Sequence, residues 1–175
     1  MNKLPFLILF AVLFSVSCCT RRHEQRDVKA QKKAVHEPLI EANKESVNIE
    51  SDQIESYISR RGWKMINTGT GLRYMIYQKG MGDTAKTGKT AIINYEVSLI
   101  DGTVCYSSKE LGKREFIVGM ADVESGLHEG ITYMRVGDKA KMILPSHLAH
   151  GLLGDRKKIP AKATIIYDVE LLALK

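Results

Sequence analysis

Cysteine is scarce in this 175-residue sequence: there are three, and only Cys105 lies beyond residue 19. A lone cysteine has no partner for a disulfide framework, and no C-x-x-C motif is present. The five histidines are scattered, so no Cys/His cluster has the spacing of metal ligands. No Ser/His/Asp or Cys/His arrangement for nucleophilic catalysis is visible either. We therefore expect neither a metal site nor a cofactor.

A long hydrophobic run is also missing. Lys3 precedes an apolar stretch at residues 4–14, which is shorter than the ~20 residues that a membrane-spanning helix needs. A short apolar core that ends in small residues is typical of a signal peptide, which we place at residues 1–17. The junction that follows is similar to a bacterial lipobox and predicts a lipid anchor on Cys18, with Cys19 as the alternative. An ordinary secretory signal remains open.

Aromatic residues do not interleave with the basic ones, although the formal net charge is +6 and falls by one, to +5, when the signal peptide with Lys3 is removed. Because the charges are dispersed, we expect no binding to nucleic acid. Polar residues without an apolar period follow the cysteines, and we assign residues 18–46 to a solvated tether. The alternative is that its basic residues lie near anionic lipid head groups.

Helical spacing of apolar residues appears next. Residues 47–61 carry an apolar stripe, with acidic residues early and two arginines late, as the helix dipole favours. Gly62 provides a C-terminal stop. We predict a flanking helix at residues 47–62 that packs on the side of the following domain, with a dimer arm as the alternative. We expect residues 71–175 to fold without it.

Alternating apolar and polar residues predict the strands of the domain, which we place at residues 63–175. The dipeptide Asp101-Gly102 predicts a hairpin turn, and Leu127 and Ile131 recur at helical spacing. The pattern predicts an α+β domain, an antiparallel sheet wrapped around one short helix, with a loop over an apolar pocket. The predicted strands lie at residues 72–77, 93–99, 116–118, 139–144 and 165–171.

Several short motifs occur in a fixed order along this domain. They are Tyr95, Asp101-Gly102, Ser107-Ser108, Gly126-Leu127-x-Glu129-Gly130, Met134-x-Val136-Gly137, Pro145, Ala149-x-Gly151, Ile159-Pro160 and Tyr167-Asp168-Val169-Glu170-Leu171-Leu172. With these motifs the sequence resembles the FKBP-type peptidyl-prolyl cis-trans isomerases over about residues 71–174. Residues 104–113 and the predicted lipid anchor are most similar to the gliding-motility-associated lipoprotein branch.

The resemblance implies a substrate pocket. The pocket positions that it implies are Tyr95, Cys105, Tyr106, Val123, Glu124, Leu127, His150, Ile159 and Tyr167. The residues that keep the family's aromatic or apolar character are Tyr95, Val123, Ile159 and Tyr167. Rotation about a peptide bond has a barrier of about 18–20 kcal/mol because of resonance. Lowering that barrier needs a dry pocket and donors that favour the twisted amide, and no nucleophile.

The other five pocket positions depart from the family pattern. Cys105 and Tyr106 replace a Phe-Asp pair, and Leu127 replaces a tryptophan on the pocket floor. His150 replaces a loop tyrosine, and Glu124, in place of isoleucine, keeps the backbone donor but changes the rim. Each replacement also has a plainer interpretation: Leu127 as core, Cys105 as a small buried hydrophobe, His150 as a solvated loop residue.

The resemblance and the predicted anchor together imply an exported, membrane-anchored peptidyl-prolyl isomerase with weak activity. Its partners would be proline-containing exported polypeptides, and its place the cell envelope, lipid-anchored to a membrane and facing the periplasm. The alternative is an FKBP-like chaperone or binding module of an envelope machine that has no turnover. Kinetics on Xaa-Pro peptides separate the two.

Overall fold

A computed structural model describes residues 37–120 and 123–175. The chain divides into two compact units, residues 1–48 and 49–175. In the first unit, residues 37–48 are helical and exposed. Most of this stretch falls within the predicted tether, since it lacks an apolar period. Its glutamates, alanine and lysine are good helix formers, and an exposed helix needs no apolar stripe.

Two predictions concern the N-terminal region that the structure does not describe. They are the signal peptide at residues 1–17 and the lipid anchor at Cys18, with its alternative at Cys19. Both lie outside the described residues and stay predictions. In residues 37–120 and 123–175, no helix is both long and apolar enough to cross a bilayer.

The second unit is built on a seven-stranded sheet in which every pairing is antiparallel. The strand order is β1-β2-β6-β7-β3-β4, and β5 also pairs with β3. The two longest strands, β3 and β7, are neighbours at its centre. The strands are β1 (Ile66–Asn67), β2 (Arg73–Gln78), β3 (Thr90–Leu99), β4 (Val104–Ser107), β5 (Arg114–Ile117), β6 (Lys139–Leu144) and β7 (Ile165–Leu174).

Three helices and a turn complete this unit. Helix α1 comprises its first helical residues, 49–61. The short α2 (Ser108–Leu111) follows β4, and α3 (Ser125–Thr132) precedes β6. A 3₁₀ turn at Ser146–Leu148 follows β6. The predicted fold class, an antiparallel sheet with one short helix packed against it, is confirmed.

Helix α3 approaches the sheet closely because two of its residues are glycines. A Cβ at Gly126 would lie 2.6 Å from Leu144 Cγ, and one at Gly130 would clash with the Met142 side chain. Between them Leu127 is fully buried. Because no side chain separates helix from sheet at the glycines, α3 can lie directly on β6 and position its N-terminus over the sheet.

Helix α1 covers a second, smaller core. Ile54 is fully buried, and Tyr57 and Ile58 are nearly so, in a cluster with Ile143 of β6 and Ile166 of β7. Alternate residues of a strand point to opposite faces, so these two isoleucines face away from the core under α3. The segment thus packs on the domain, and it closes a face of the sheet that would otherwise expose large apolar side chains.

Polar contacts fix α1 at two further points. The Glu50 carboxylate accepts hydrogen bonds from Ser146 N–H at 2.7 Å and from the Thr164 hydroxyl at 2.7 Å. Arg73, which is 5% exposed, donates to Glu55 at 3.1 Å and to Ser51 at 2.7 Å. Glu50 therefore ties α1 to the residues on both sides of the loop between β6 and β7.

Candidate active site

The sequence-predicted pocket residues lie together between α3 and the sheet. One apolar core cluster contains four of them, and three more pack against it as partly buried side chains. The four are Cys105, Leu127, Ile159 and Tyr167, and the three are Tyr95, Tyr106 and Val123. The remaining two, Glu124 and His150, contact each other and reach the cluster through Tyr167. We call this arrangement the cradle.

The floor of the cradle is aliphatic and aromatic. Leu127 is fully buried and Tyr167 is 1% exposed, so both lie beneath the surface. Tyr95 on β3 is half-buried, and its ring centroid lies 6.4 Å from that of Tyr167 at an interplanar angle of 48°. Val123, just before α3, packs against the same core. Tyr95 and Val123 are therefore the apolar side chains of the cradle that reach the surface, and Leu127 and Tyr167 support them from below.

The Glu124 carboxylate lies inside the cradle and is 8% exposed. It accepts a hydrogen bond from the Tyr167 hydroxyl at 2.9 Å, and His150 Nε2 lies 3.0 Å from its other oxygen. Arg114 of β5 approaches at 3.7 Å. Glu124 was predicted to change the rim of the pocket, and the structure places its carboxylate deeper than a rim position. A carboxylate this buried needs donors, and Tyr167, His150 and Arg114 supply them.

His150 is not a solvated loop residue. Its side chain is 26% exposed, and the ring turns inward to Glu124. The Tyr167 hydroxyl is held as a donor, because burial raises the pKa of this phenol well above its ordinary value. The neighbouring Glu124 charge acts in the same direction, while Arg114 opposes it. The cradle thus holds a compact polar cluster of Arg114, Glu124, His150 and Tyr167, which we call the Glu124 cluster.

Asp155 is a site residue that the sequence analysis missed. The Tyr106 hydroxyl donates to one of its oxygens, and the N–H groups of Lys157 and Ile159 donate to the other at 2.8 Å each. Burial would raise the pKa of Asp155, but these hydrogen bonds outweigh it and lower that pKa to about 2. The family pattern has an aspartate at position 106, where this chain has a tyrosine, and Asp155 places a carboxylate beside that tyrosine instead. The missing aspartate at position 106 was the sequence signal that could have pointed to Asp155.

Cys105 is a buried thiol under the same loop. It is 1% exposed, and its Sγ lies 3.6 Å from the Lys158 carbonyl oxygen. Burial raises the pKa of the Cys105 thiol, and the nearby Asp155 charge adds to that effect. A neutral thiol without access to solvent is a poor nucleophile. Cys105 therefore packs against the loop, in agreement with its plainer interpretation.

The backbone N–H of Glu124, a cradle residue, lies at the N-terminus of α3. Glu124 is the N-cap of the helix, and its N–H donates to none of the other described residues. The partial positive charge of a helix N-terminus favours an oxygen acceptor there. A substrate carbonyl could therefore bind at this amide, next to the apolar floor. The site thus combines partly exposed apolar side chains, a backbone amide at a helix N-terminus and a buried polar cluster.

These features define an α+β domain with a cradle between one helix and an antiparallel sheet. A family model for FKBP-type peptidyl-prolyl cis-trans isomerases matches residues 82–172, which is more than half of the chain. The chain belongs to the FKBP-type peptidyl-prolyl cis-trans isomerase family. The predicted family is thereby confirmed, whereas the gliding-motility-associated branch stays a prediction.

Individual relatives agree with this assignment. FkpA of Buchnera aphidicola (subsp. Schizaphis graminum) is 39% identical over 62% of this chain and 42% of its own length. FkpA of Escherichia coli K12 is 33% identical over 69% of this chain and 43% of its own length. The crystal structure of AtFKBP13 superposes with a TM-score of 0.61 at 26% identity, covering 64% of this chain and 99% of that one. The chain spans less than half the length of these two curated relatives.

Proposed function

We propose that this chain catalyses the cis-trans isomerisation of Xaa-Pro bonds. The observation that carries the proposal is the cradle itself: an apolar floor of Leu127, Tyr95 and Tyr167, together with a Glu124 N–H that donates to no other described residue. Family membership gives the same class of activity. Xaa-Pro isomers interconvert over tens to hundreds of seconds unaided, so even a modest reduction of the barrier is useful to a folding chain.

The proposed mechanism is differential binding. The proline ring lies on the aromatic and aliphatic floor, and a neighbouring carbonyl outside the reacting amide accepts from the Glu124 N–H. As the amide twists it loses resonance and charge separation, so an apolar, water-poor surface stabilises it more than the planar ground state. Covalent chemistry and proton transfer play no part. Tyr95 and Val123 hold the ring, and α3 fixes the donor.

We further propose that turnover is weak, because of the Glu124 cluster. A carboxylate paired with Arg114 and His150 places charge beside the position of the reacting amide. Such an environment solvates the planar, charge-separated amide better than the twisted one. It also keeps the Tyr167 hydroxyl engaged with Glu124. Both effects reduce the preference for the transition state on which the rate depends.

The proposed setting is the cell envelope. The apolar stretch at residues 4–14 and the junction before Cys18 support export and lipid anchoring, facing the periplasm. The clients would then be proline-containing exported polypeptides. Residues 104–113 support a relation to gliding-motility-associated lipoproteins. Mass spectrometry of the mature N-terminus tests the anchor: a lipid mass on Cys18 or Cys19 supports it, and an unmodified terminus contradicts it.

Isomerisation of Leu-Pro peptides, followed by two-dimensional exchange NMR, tests the activity. We expect the chain to speed exchange, and Tyr95→Leu, which removes a half-buried ring from the cradle, to reduce the acceleration about tenfold. The matched control is Tyr77→Leu on β2, where the tyrosine is 49% exposed and bonded to Asp168. Equal effects of the two changes would contradict the assignment of the cradle.

A second candidate function is a binding or chaperone module without turnover. The observation that favours it is the Glu124 cluster, which fills part of the cradle with paired charges. Such a module would suppress the aggregation of an unfolded, proline-containing protein without accelerating isomerisation. Measuring both properties on the same preparation separates the two functions, because only an isomerase accelerates exchange in short peptides.

A further inference from the structure

A closed loop beside the cradle carries an unusual concentration of positive charge. The Lys162 N–H donates to the Gly151 carbonyl at 2.9 Å, so the two ends of residues 151–162 meet. We call these residues the basic loop. Its one acidic residue, Asp155, is already engaged by hydrogen bonds. Its four basic side chains are all exposed: Arg156, Lys157, Lys158 and Lys162.

Most of these cations have no ion-pair partner in the part of the chain that the structure describes. Among the described residues, no ion pair involves Arg156, Lys157 or Lys162, whereas Lys158 lies 4.0 Å from Glu110. Two large apolar side chains accompany them, since Leu152 is 70% exposed and Leu153 is 67% exposed. Exposed leucines next to unpaired cations are typical of an interaction surface that takes an anionic, partly apolar ligand.

The backbone of the basic loop is held in a demanding conformation. Arg156 and Lys162 have φ values of 59° and 56°, a left-handed region that residues with a Cβ rarely adopt. Gly154 also has a positive φ, and a Cβ there would clash with the Ile159 carbonyl. Such strain persists only where the surroundings hold it, and it concentrates at functional positions. The backbone positions from which the cations project are therefore held by their surroundings.

The basic loop is also firmly attached to the cradle. Ile159 is 3% exposed and belongs to the core cluster. Asp155 accepts from Tyr106, and the Lys158 ammonium lies 5.4 Å from the centre of the same tyrosine ring. The loop begins directly after His150 of the Glu124 cluster. A polypeptide whose proline occupies the cradle must therefore pass the basic loop on its way in or out.

We propose that the basic loop selects clients in which acidic and apolar residues flank the proline. This inference rests on the proposed function, because it assigns the substrate class of the same cradle. The unpaired ammonium and guanidinium groups would bind the carboxylates, and Leu152 and Leu153 the apolar side chains. An extended peptide is a better fit than an anionic bilayer, because docking this edge onto lipid would close the cradle to clients.

Fluorescence anisotropy of labelled peptides tests the selection independently of turnover. Each peptide carries one Leu-Pro, flanked on both sides by glutamates, glutamines or lysines. At low ionic strength we expect the full chain to bind the glutamate peptide about tenfold more tightly than the glutamine peptide, and the lysine peptide least. The preference should shrink as salt is added, because exposed charges are screened.

Matched charge reversals locate the effect. The variant with Lys157→Glu and Lys162→Glu should reduce the glutamate preference to about twofold or less. The variant with Lys157→Gln and Lys162→Gln should give an intermediate preference. The control is Lys86→Glu with Lys89→Glu, which changes net charge equally. Both control lysines are exposed and lie before the first residue of β3, at the opposite end of that strand from the basic loop.

Three results would overturn the proposal. The first is equal affinity for the glutamate and glutamine peptides. The second is a loss of the glutamate preference in the control variant as large as that in the loop variant. The third is that the loop variant no longer binds phosphatidylglycerol vesicles while its peptide binding is unchanged. The last result would make the surface a lipid site. If the glutamate peptide binds preferentially but its isomers exchange no faster, the proposal on selection stands and the proposed isomerase activity falls.

Discussion

The Tyr167 hydroxyl donates to the Glu124 carboxylate at 2.9 Å, which joins the last strand of the sheet to the N-terminus of α3. Tyr167 is 1% exposed and the Glu124 side chain 8% exposed, so the bond lies out of solvent. A polar bond in this position has two consequences. It stabilises the approach of α3 to the sheet, and it gives the cradle a polar interior.

The first prediction concerns stability. Tyr167→Phe leaves the buried Glu124 carboxylate without one of its donors, which costs about 1–3 kcal/mol of unfolding free energy. Glu124→Ile combined with Tyr167→Phe removes both partners, and we expect it to be within about 1 kcal/mol of wild type. His150 and Arg114 are partly exposed and can be hydrated instead. Urea unfolding measures both variants, and a double variant less stable than the single one would contradict this account.

The second prediction concerns the stability of the folded chain at low pH. The pKa of Asp155 is about 2 in the folded chain, against about 3.9 for an unfolded aspartate. A depressed folded pKa contributes stability above pH ~4, and that contribution is lost as the pH falls towards 2. Tyr106→Phe removes a donor to this carboxylate, so the loss between pH 5 and 2 should become smaller. Urea unfolding at several pH values measures it, and an identical pH dependence in both proteins would be the contrary result.

The third prediction concerns α1. Ile54 is fully buried against the second core, so Ile54→Ala should cost about 2–5 kcal/mol. A chain that begins at Thr68 would expose Ile143 and Ile166, and we expect it to unfold at lower urea concentration than the full chain. That residues 71–175 fold alone stays a prediction, and the second core indicates that they would be less stable than the full chain. Equal midpoints for the shortened and full chains would contradict this difference in stability.

The fourth prediction concerns the contact between α3 and the sheet. Gly130→Ala places a methyl group against the Met142 side chain, which is fully buried. Overpacking of this kind costs about 1–3 kcal/mol. The matched control is Gly69→Ala, where a Cβ would meet nothing within 4 Å. Thermal unfolding compares the two, and equal midpoints would show that the helix can move away from the sheet without cost.

Much of the fold could be predicted because its long strands bury one face. The period of two in β3 and β7 marks residues such as Ile93 and Val169, which the structure buries. The two-residue β1 and four-residue α2 were not predicted, because such short elements have no period to detect. Strand β4, four residues long, was implied only by the hairpin turn before it.

The site could be predicted in part. The placing of Leu127 and Tyr167 in the cradle could be predicted from the motifs, since both residues occupy regular elements whose inner face is apolar. The direction of the Glu124 side chain could not be predicted, because it depends on donors from β5, β7 and the loop at His150, which are distant in sequence. Asp155 was missed for the same reason: its partner Tyr106 lies 49 residues away.

The central claim is that the cradle is an isomerase site whose rate is limited by the Glu124 cluster. Exchange NMR on a Leu-Pro peptide tests it most directly. The measurement compares wild type with the Glu124→Ile and Tyr167→Phe double variant. We expect wild type to accelerate cis-trans exchange measurably and the folded double variant to be about tenfold faster, equivalent to about 1.4 kcal/mol of barrier. That result would show that the cradle is an isomerase site and that the Glu124 cluster limits it. If both folded proteins leave exchange at the uncatalysed rate, the cradle is a binding site without turnover.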